Sequence, residues 1–460
     1  MPFRRVVLAA VLAVAVTASA SAQDVDPRIE QVLAGVSPDR LKATVETLAT
    51  FGTRHTLSSQ TDPARGIGAA AQWIHDEFVR ASPRLQVRFD TYEIPAQGSR
   101  IMRDVRVRNV VAVLPGRSPR RIYVSGHYDT VARVVPPRPS DAPRDTGAAA
   151  SGSRPASANG GFDWAAGDIP APGANDDGSG TALTMEAARV LAQSGLEFDA
   201  TLVFVAFAGE EQGLVGAHLH AQQAVAEKAV IDAVFNNDII GNSRGGNGTS
   251  DAASVRVFAD GPEDSLSRQL ARYVQRMAAR YVPSHRVRLI ARHDRFGRGG
   301  DHTAFNQRGY AGIRFTESNE SFGRQHVVDD TPDGVDAAYL ARNTRVNLAG
   351  VASLALAPAA PVISNARGVP LLDRNPSGYD ARLRWQASAG AAGYRIFWRE
   401  AWTPDWQFER HVGNVTEVIL RGVSIDDYVF GVAAIGPGGH ESLVSVYVNP
   451  PRTPVEVRVR

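Results

Sequence analysis

Residues 201 to 213 read Thr-Leu-Val-Phe-Val-Ala-Phe-Ala-Gly-Glu-Glu-Gln-Gly, an apolar run that stops at a glycine and two adjacent carboxylates, Glu210 and Glu211. Its length and its β-branched and aromatic content predict a buried strand over Thr201 to Phe207. Helical spacing follows over Leu214 to Val225, then a second apolar strand over Ala229 to Asn236. The same alternation extends both ways, with helices over Thr181 to Ala192, Ser265 to Arg280 and Asp336 to Leu356, and strands over Val255 to Phe258 and Ala311 to Phe315. Upstream, helical patterns over Val36 to Phe51 and Gly66 to Val79 precede strands over Val87 to Ile94, Arg106 to Leu114 and Arg121 to Ser125. Strands alternating with helices predict an α/β fold, a mostly parallel mixed sheet flanked by helices, with ligands at the carboxyl ends of its strands.

The 460 residues allow two to four domains, and 43% apolar with 21% charged content is ordinary for globular proteins. Glycine and proline are scattered and no heptad runs on, which excludes collagen and coiled coils. The first 22 residues have a basic start at Arg4 and Arg5, an apolar run from Val6 to Val16, and Ala20-Ser21-Ala22 before Gln23. This is the plan of a secretory signal peptide, so the protein is expected to be exported to the periplasm or the exterior. No other segment is long and apolar enough to span a membrane. Losing Arg4 and Arg5 takes the 50 basic residues to 48 against 48 acids, a balance that favours neither nucleic acid nor anionic membrane. With no cysteine, any metal must be held by histidine and carboxylates.

Two segments interrupt the pattern. Residues 134 to 173 are rich in Pro, Ala, Ser, Gly and Asp, with Phe162 and Trp164 almost alone among large apolar side chains. They read as a low-complexity insertion loop. Ala357-Pro358-Ala359-Ala360-Pro361 reads as a linker, dividing a domain over 27 to 356 from one over 362 to 452. In the latter, strands over Ala381 to Trp385, Gly393 to Arg399, Glu417 to Leu420, Tyr428 to Ala434 and Leu443 to Val448 predict an all-β sandwich.

Chemistry-bearing residues cluster at predicted strand ends. Gly126-His127-Tyr128-Asp129-Thr130 closes one strand with a histidine and a carboxylate, a pair suited to a metal ligand and the group that orients it. Pro172-Gly173-Ala174-Asn175-Asp176-Asp177-Gly178-Ser179-Gly180 opens a helix with two acids, for which capping is the simpler role. Adjacent Glu210 and Glu211 repel one another unless cations or protons offset them, so one can ligate a metal while the other acts as general base in hydrolysis. Asp238 follows the strand through Phe235, and His326 lies in Arg324-Gln325-His326-Val327-Val328-Asp329.

These blocks, in this order, resemble the exported zinc aminopeptidases related to bacterial leucyl aminopeptidase, glutamate carboxypeptidase and glutaminyl cyclase. The resemblance runs from about Leu33 to Leu356 and includes Gly300-Asp301-His302-Thr303-Ala304-Phe305. It implies a zinc exopeptidase-like fold with two Zn2+ ions, bridged by Asp176, with His127 and Asp238 completing one site and Glu211 and His326 the other. It further implies Glu210 as general base, Asp129 as the partner of His127, a cis peptide between Asp176 and Asp177, and a peptide or protein substrate. The activity expected is that of an aminopeptidase, with a carboxypeptidase of the same superfamily or a non-catalytic peptide-binding protein as alternatives and a glutaminyl cyclase more distant. The chain departs from the family in its insertion and in lacking an aromatic residue just before His326; Asp301 and His302 are assigned only proximity to the cleft. The C-terminal segment resembles a fibronectin type III domain, with Trp385 and Tyr394 as packing residues and a role in binding a surface or a large substrate.

Overall fold

The computed structural model describes residues 25–133, 161, 162, 164, 165 and 167–449. The signal-peptide reading and most of the insertion fall outside the described residues. Three helices open the described chain: α1 (Pro27–Ala34), α2 (Pro38–Thr50) and α3 (Gly66–Ala81). Asp26 and Ser37 start the first two by accepting hydrogen bonds from the N–H groups of Arg28 and Arg40, and proline occupies the position that needs no donor. Then come β1 (Gln86–Ile94), β2 (Val105–Leu114), β3 (Arg121–His127), α4 (Gly178–Gln193), β4 (Thr201–Phe207), α5 (Val215–Ala226) and β5 (Ile231–Asn237). The domain finishes with β6 (Ser254–Ala259), α6 (Leu266–Tyr281), β7 (Arg286–Ile290), α7 (His302–Asn306), β8 (Gly312–Glu317) and α8 (Ala337–Leu356).

Among the described residues, the strands form one eight-stranded sheet in the order β1-β2-β4-β3-β5-β8-β6-β7. Its centre, β4-β3-β5-β8, is parallel, so the carboxyl ends of four strands share one edge. The outer pairs β1/β2, β2/β4 and β6/β8 are antiparallel. The central strands are buried on both faces, as in β4 where Leu202, Phe204 and Ala206 enter one cluster and Val203, Val205 and Phe207 another. That two-sided burial explains why these strands read as continuous apolar runs. The expected α/β architecture is therefore present. The sequence reading omitted α1, α7 and β7: α7 has five residues, and β7 leaves Arg286 exposed and is only partly buried at three positions.

Beyond α8, two antiparallel sheets follow. One is ordered β13-β10-β9, from β9 (Leu372–Arg374), β10 (Ala381–Arg384) and β13 (Glu417–Leu420); the other is β12-β11-β14-β15, from β11 (Gly393–Glu400), β12 (Phe408–Gly413), β14 (Tyr428–Ile435) and β15 (Ser445–Val446). Leu383 and Leu420 of the first face Ile396, Phe430 and Val432 of the second in one core, with Trp385 and Tyr394 packed at 5.3 Å inside it. The second sheet also lies against α6. Trp406 donates to Gln269 Oε1 at 3.1 Å, Arg276 covers the Phe397 ring and pairs with Glu441 at 3.2 Å, and Leu443 joins the core of the larger domain.

Candidate metal centre

His127 ends β3, Glu210 and Glu211 follow β4, and Asp238 follows β5, so parallel pairing brings their side chains to one edge of the sheet. Asp176 and His326 enter from the loops before α4 and after β8. Glycine makes the close approach possible. A Cβ on Gly126 would lie 2.6 Å from the Gly180 carbonyl carbon, and one on Gly180 would lie 2.1 Å from the Asn237 oxygen.

The side chains form two groups of potential ligands, His127 with Glu210 and Asp238, and Asp176 with Glu211 and His326. Asp176 reaches both histidines: Oδ1 is 3.4 Å from His127 Nε2 and Oδ2 is 3.0 Å from His326 Nε2. Glu211 Oε1 is 3.2 Å from His326 Nε2, and Asp238 Oδ1 is 3.8 Å from His127 Nε2. Asp176 Oδ2 and Glu211 Oε1 are buried and accept no hydrogen bond among the described residues, which leaves their lone pairs available to a cation. This donor set, nitrogen and oxygen with surplus negative charge, fits zinc. All five expected ligands are thus brought together around Asp176, and Glu210 sits in the same cluster.

The two adjacent acids before α4 have separate tasks. Asp177 caps the helix through Gly180 N–H at 2.9 Å and also accepts from the N–H groups of His127 at 3.0 Å and Ile239 at 3.2 Å. Asp176 is left to face the histidines. The peptide between them is cis, as the resemblance implies. Asp129 serves the site by two routes. Its carbonyl oxygen lies 3.1 Å from His127 Nδ1, which holds the ring with Nε2 toward the ligands, while its carboxylate accepts from the N–H groups of Glu210 and Glu211, both at 3.1 Å. The carboxylate itself is 3.7 Å from Nδ1, so orientation of His127 falls to the main chain.

Burial lifts the Glu210 carboxyl well above its ordinary range, and the nearby charges of Asp238 and Glu211 add to the rise. Burial opposes protonation of His127 and His326, but the surrounding carboxylates outweigh it and hold both imidazoles well above their usual values. Asp301, placed beside the cleft by sequence, is buried with both carboxylate oxygens unpaired among the described residues, and burial pushes it up to about 8. His302 stacks on His293 at 4.8 Å and is lowered by burial to about 4.

Sequence reasoning missed the residues that brace this cluster. Arg54, fully buried, donates to the carbonyls of Tyr128 at 2.6 Å, Pro172 at 2.6 Å, Gly173 at 2.9 Å and Leu48 at 2.9 Å, tying the His127 and Asp176 loops together. Arg314, also fully buried, pairs with Asp238 at 2.8 Å and Asp294 at 3.0 Å. Asp330 accepts from the backbone of Asn175 and Asp176. No motif marks any of the three. The missing aromatic near His326 is supplied from elsewhere: Phe162, within the insertion, meets the His326 ring edge-on at 5.6 Å. Phe162 and Trp164 were visible as the insertion's large apolar residues, but their destination was not. His326 itself has φ of +55°, a backbone region few non-glycine residues adopt.

Comparison with known proteins agrees with this geometry. The model of peptidase family M28 matches residues 109–351. A "Probable zinc metalloprotease" of Pyricularia oryzae is 37% identical, covering 92% of this chain and 84% of its own, and one of Phaeosphaeria nodorum is 34% identical, covering 91% and 87%. Among solved structures, the LapA aminopeptidase of Legionella pneumophila is similar with a TM-score of 0.52 at 19% identity, over 73% of this chain and 78% of that one. The glutaminyl cyclase of Porphyromonas gingivalis is similar with a TM-score of 0.50 at 18% identity, over 69% and 98%. At such identities these two structures share the fold, and their differing chemistries show that fold alone does not fix the reaction. The family match and the full-length relatives do: the chain belongs to peptidase family M28 and is a peptide-bond hydrolase.

Proposed function

We propose that this protein is an exported di-zinc aminopeptidase. The single observation carrying the two-metal reading is Asp176, whose two oxygens face a different histidine each, at 3.4 and 3.0 Å. His127, Asp238 and Asp176 would hold one Zn2+, and Glu211, His326 and Asp176 the other. Bound there, zinc supplies Lewis acidity toward a carbonyl oxygen and lowers the pKa of water. Glu210, lifted by its buried acidic surroundings, takes the proton of the attacking water and returns it to the leaving amine. Asp129 fixes the direction of both glutamates through their N–H groups.

The aminopeptidase reading rests on the family and on the named activity of LapA, and a carboxypeptidase is the alternative. Export is inferred from residues 1–22, and no described helix is long and apolar enough to cross a membrane. The C-terminal sheets are read as a fibronectin type III-like accessory domain for a surface or large substrate. Metal analysis and peptide hydrolysis test the proposal together. Two zinc ions per chain, lost to chelator with activity, and turnover of free-amine but not N-blocked peptides are expected. One ion at full activity, or turnover that needs a free carboxyl terminus instead of a free amine, would overturn it.

A further inference from the structure

Next to Glu211 and His326 lies a cavity of about 530 Å3 that the reaction described above does not use. Phe162 and Trp164, ring centres 5.0 Å apart, form one wall and Phe322 stands at its rim. Three guanidinium groups line it, those of Arg100, Arg133 and Arg298. Arg100 lies over the Trp164 ring at 5.1 Å and gives one N–H to the Glu211 carbonyl at 3.0 Å. Arg133 lies over Phe162 at 5.0 Å, and its buried Nε has no hydrogen-bond partner among the described residues. Neither Arg100 nor Arg133 has an ion-pair partner among the described residues. Arg298 touches Glu320 at 3.3 Å, but that carboxylate is already shared with Arg256 and Arg295, each at 2.7 Å.

Among the described residues, the one carboxylate lining the cavity is Glu211, which belongs to the ligand cluster. Arg298 also donates to Gln325 Oε1 at 2.9 Å, so the cavity offers two guanidinium groups without an ion-pair partner among the described residues, Arg100 and Arg133, between aromatic faces. Guanidinium forks match a carboxylate through two parallel hydrogen bonds, and aromatic walls suit a short methylene stem. A purely apolar side chain would bury these donors unpaired, which is costly.

We propose that this cavity selects the substrate residue beside the scissile bond and takes one bearing a free carboxylate, from an Asp or Glu side chain or from the α-carboxylate of a dipeptide. The proposal rests on the peptidase reading. Matched substrates test it with the full chain loaded with zinc. Glu-first against Gln-first peptides, both with amidated C-termini, report a side-chain carboxylate; Gln-Ala against its amide reports an α-carboxylate. In one pair the carboxylate member is expected to have a kcat/KM at least tenfold higher, mainly through KM, and Arg133→Met is expected to erase most of that ratio. Equal or reversed preference in both pairs overturns the proposal. Titration calorimetry of the same pairs into Glu210→Gln protein gives a readout independent of turnover. Failure to hydrolyse any peptide refutes the peptidase reading, whereas equal binding of carboxylate and amide refutes the subsite.

Discussion

Asp330 Oδ2 accepts a hydrogen bond from the backbone N–H of Asp176 at 2.9 Å, while its Oδ1 accepts from Asn175 N–H at 3.0 Å. The residue that faces both histidines thus has its own main chain gripped by a second buried carboxylate, contributed from 154 positions later in the sequence. Two acceptors are required, because two N–H groups point at the same side chain.

Replacing Asp330 by Asn leaves one acceptor oxygen for two donors. The buried N–H left without a partner is expected to cost about 1–3 kcal/mol of stability. Looser placement of Asp176 should also weaken zinc retention. Thermal unfolding of the apo and zinc-loaded variant checks both, and an unchanged Tm together with wild-type zinc retention would remove Asp330 from this role.

Glu210→Gln preserves shape but removes the proposed proton acceptor. Turnover is expected to fall by roughly 10²–10⁴-fold while zinc content stays at the wild-type level. Single-turnover kinetics beside metal analysis separates the two effects. Near-normal turnover would assign the base elsewhere, with Asp301, buried and without a hydrogen-bond partner among the described residues, the next candidate.

Cutting the chain after Leu356 removes no proposed ligand, yet it strips the cover from α6. Gln269 and Arg272 are buried there, with Arg272 donating to the Pro404 carbonyl. The shortened chain is expected to hydrolyse small peptides at a rate near that of the full chain, but to unfold several degrees lower. A folded, zinc-loaded, inactive product would mean that the C-terminal sheets shape the cleft.

Acid stability offers a fourth check. Burial alone would raise Glu320, but Arg295, Arg256 and a hydrogen bond from Gln325 outweigh it and bring the carboxyl down to about 2. Its folded value lies below the unfolded value of ~4.3, so its contribution is complete above that pH and is lost as pH falls through about 2. The contribution is at most about 3 kcal/mol at one pKa unit per 1.36 kcal/mol. Denaturant titrations from pH 5 to 2.5 should show a shallower decline for Glu320→Gln than for wild type, from a lower starting stability because three arginines lose their partner. Parallel declines would show that Glu320 is not the group responsible.

The strand and helix pattern from Val87 onward, and with it the parallel centre of the sheet, was legible in the sequence because burial on both faces imposes continuous apolar runs that end abruptly at polar residues. The same rule exposed His127, Glu210, Glu211 and Asp238, which sit where those runs stop. Asp176 and His326 were legible through motif resemblance, and the capping role open to either acid before α4 turned out to belong to Asp177. What tertiary structure alone decided is which distant groups meet. Arg54 binds carbonyls of loops 74 to 119 residues away, and Phe162 reaches a histidine more than 160 positions distant. Backbone carbonyls and N–H groups are present at almost every residue, so no side-chain pattern announces which of them Arg54 or Asp330 will satisfy. Periodicity reports the face a residue turns to the core; only the folded chain brings together the charges and rings that share one cavity.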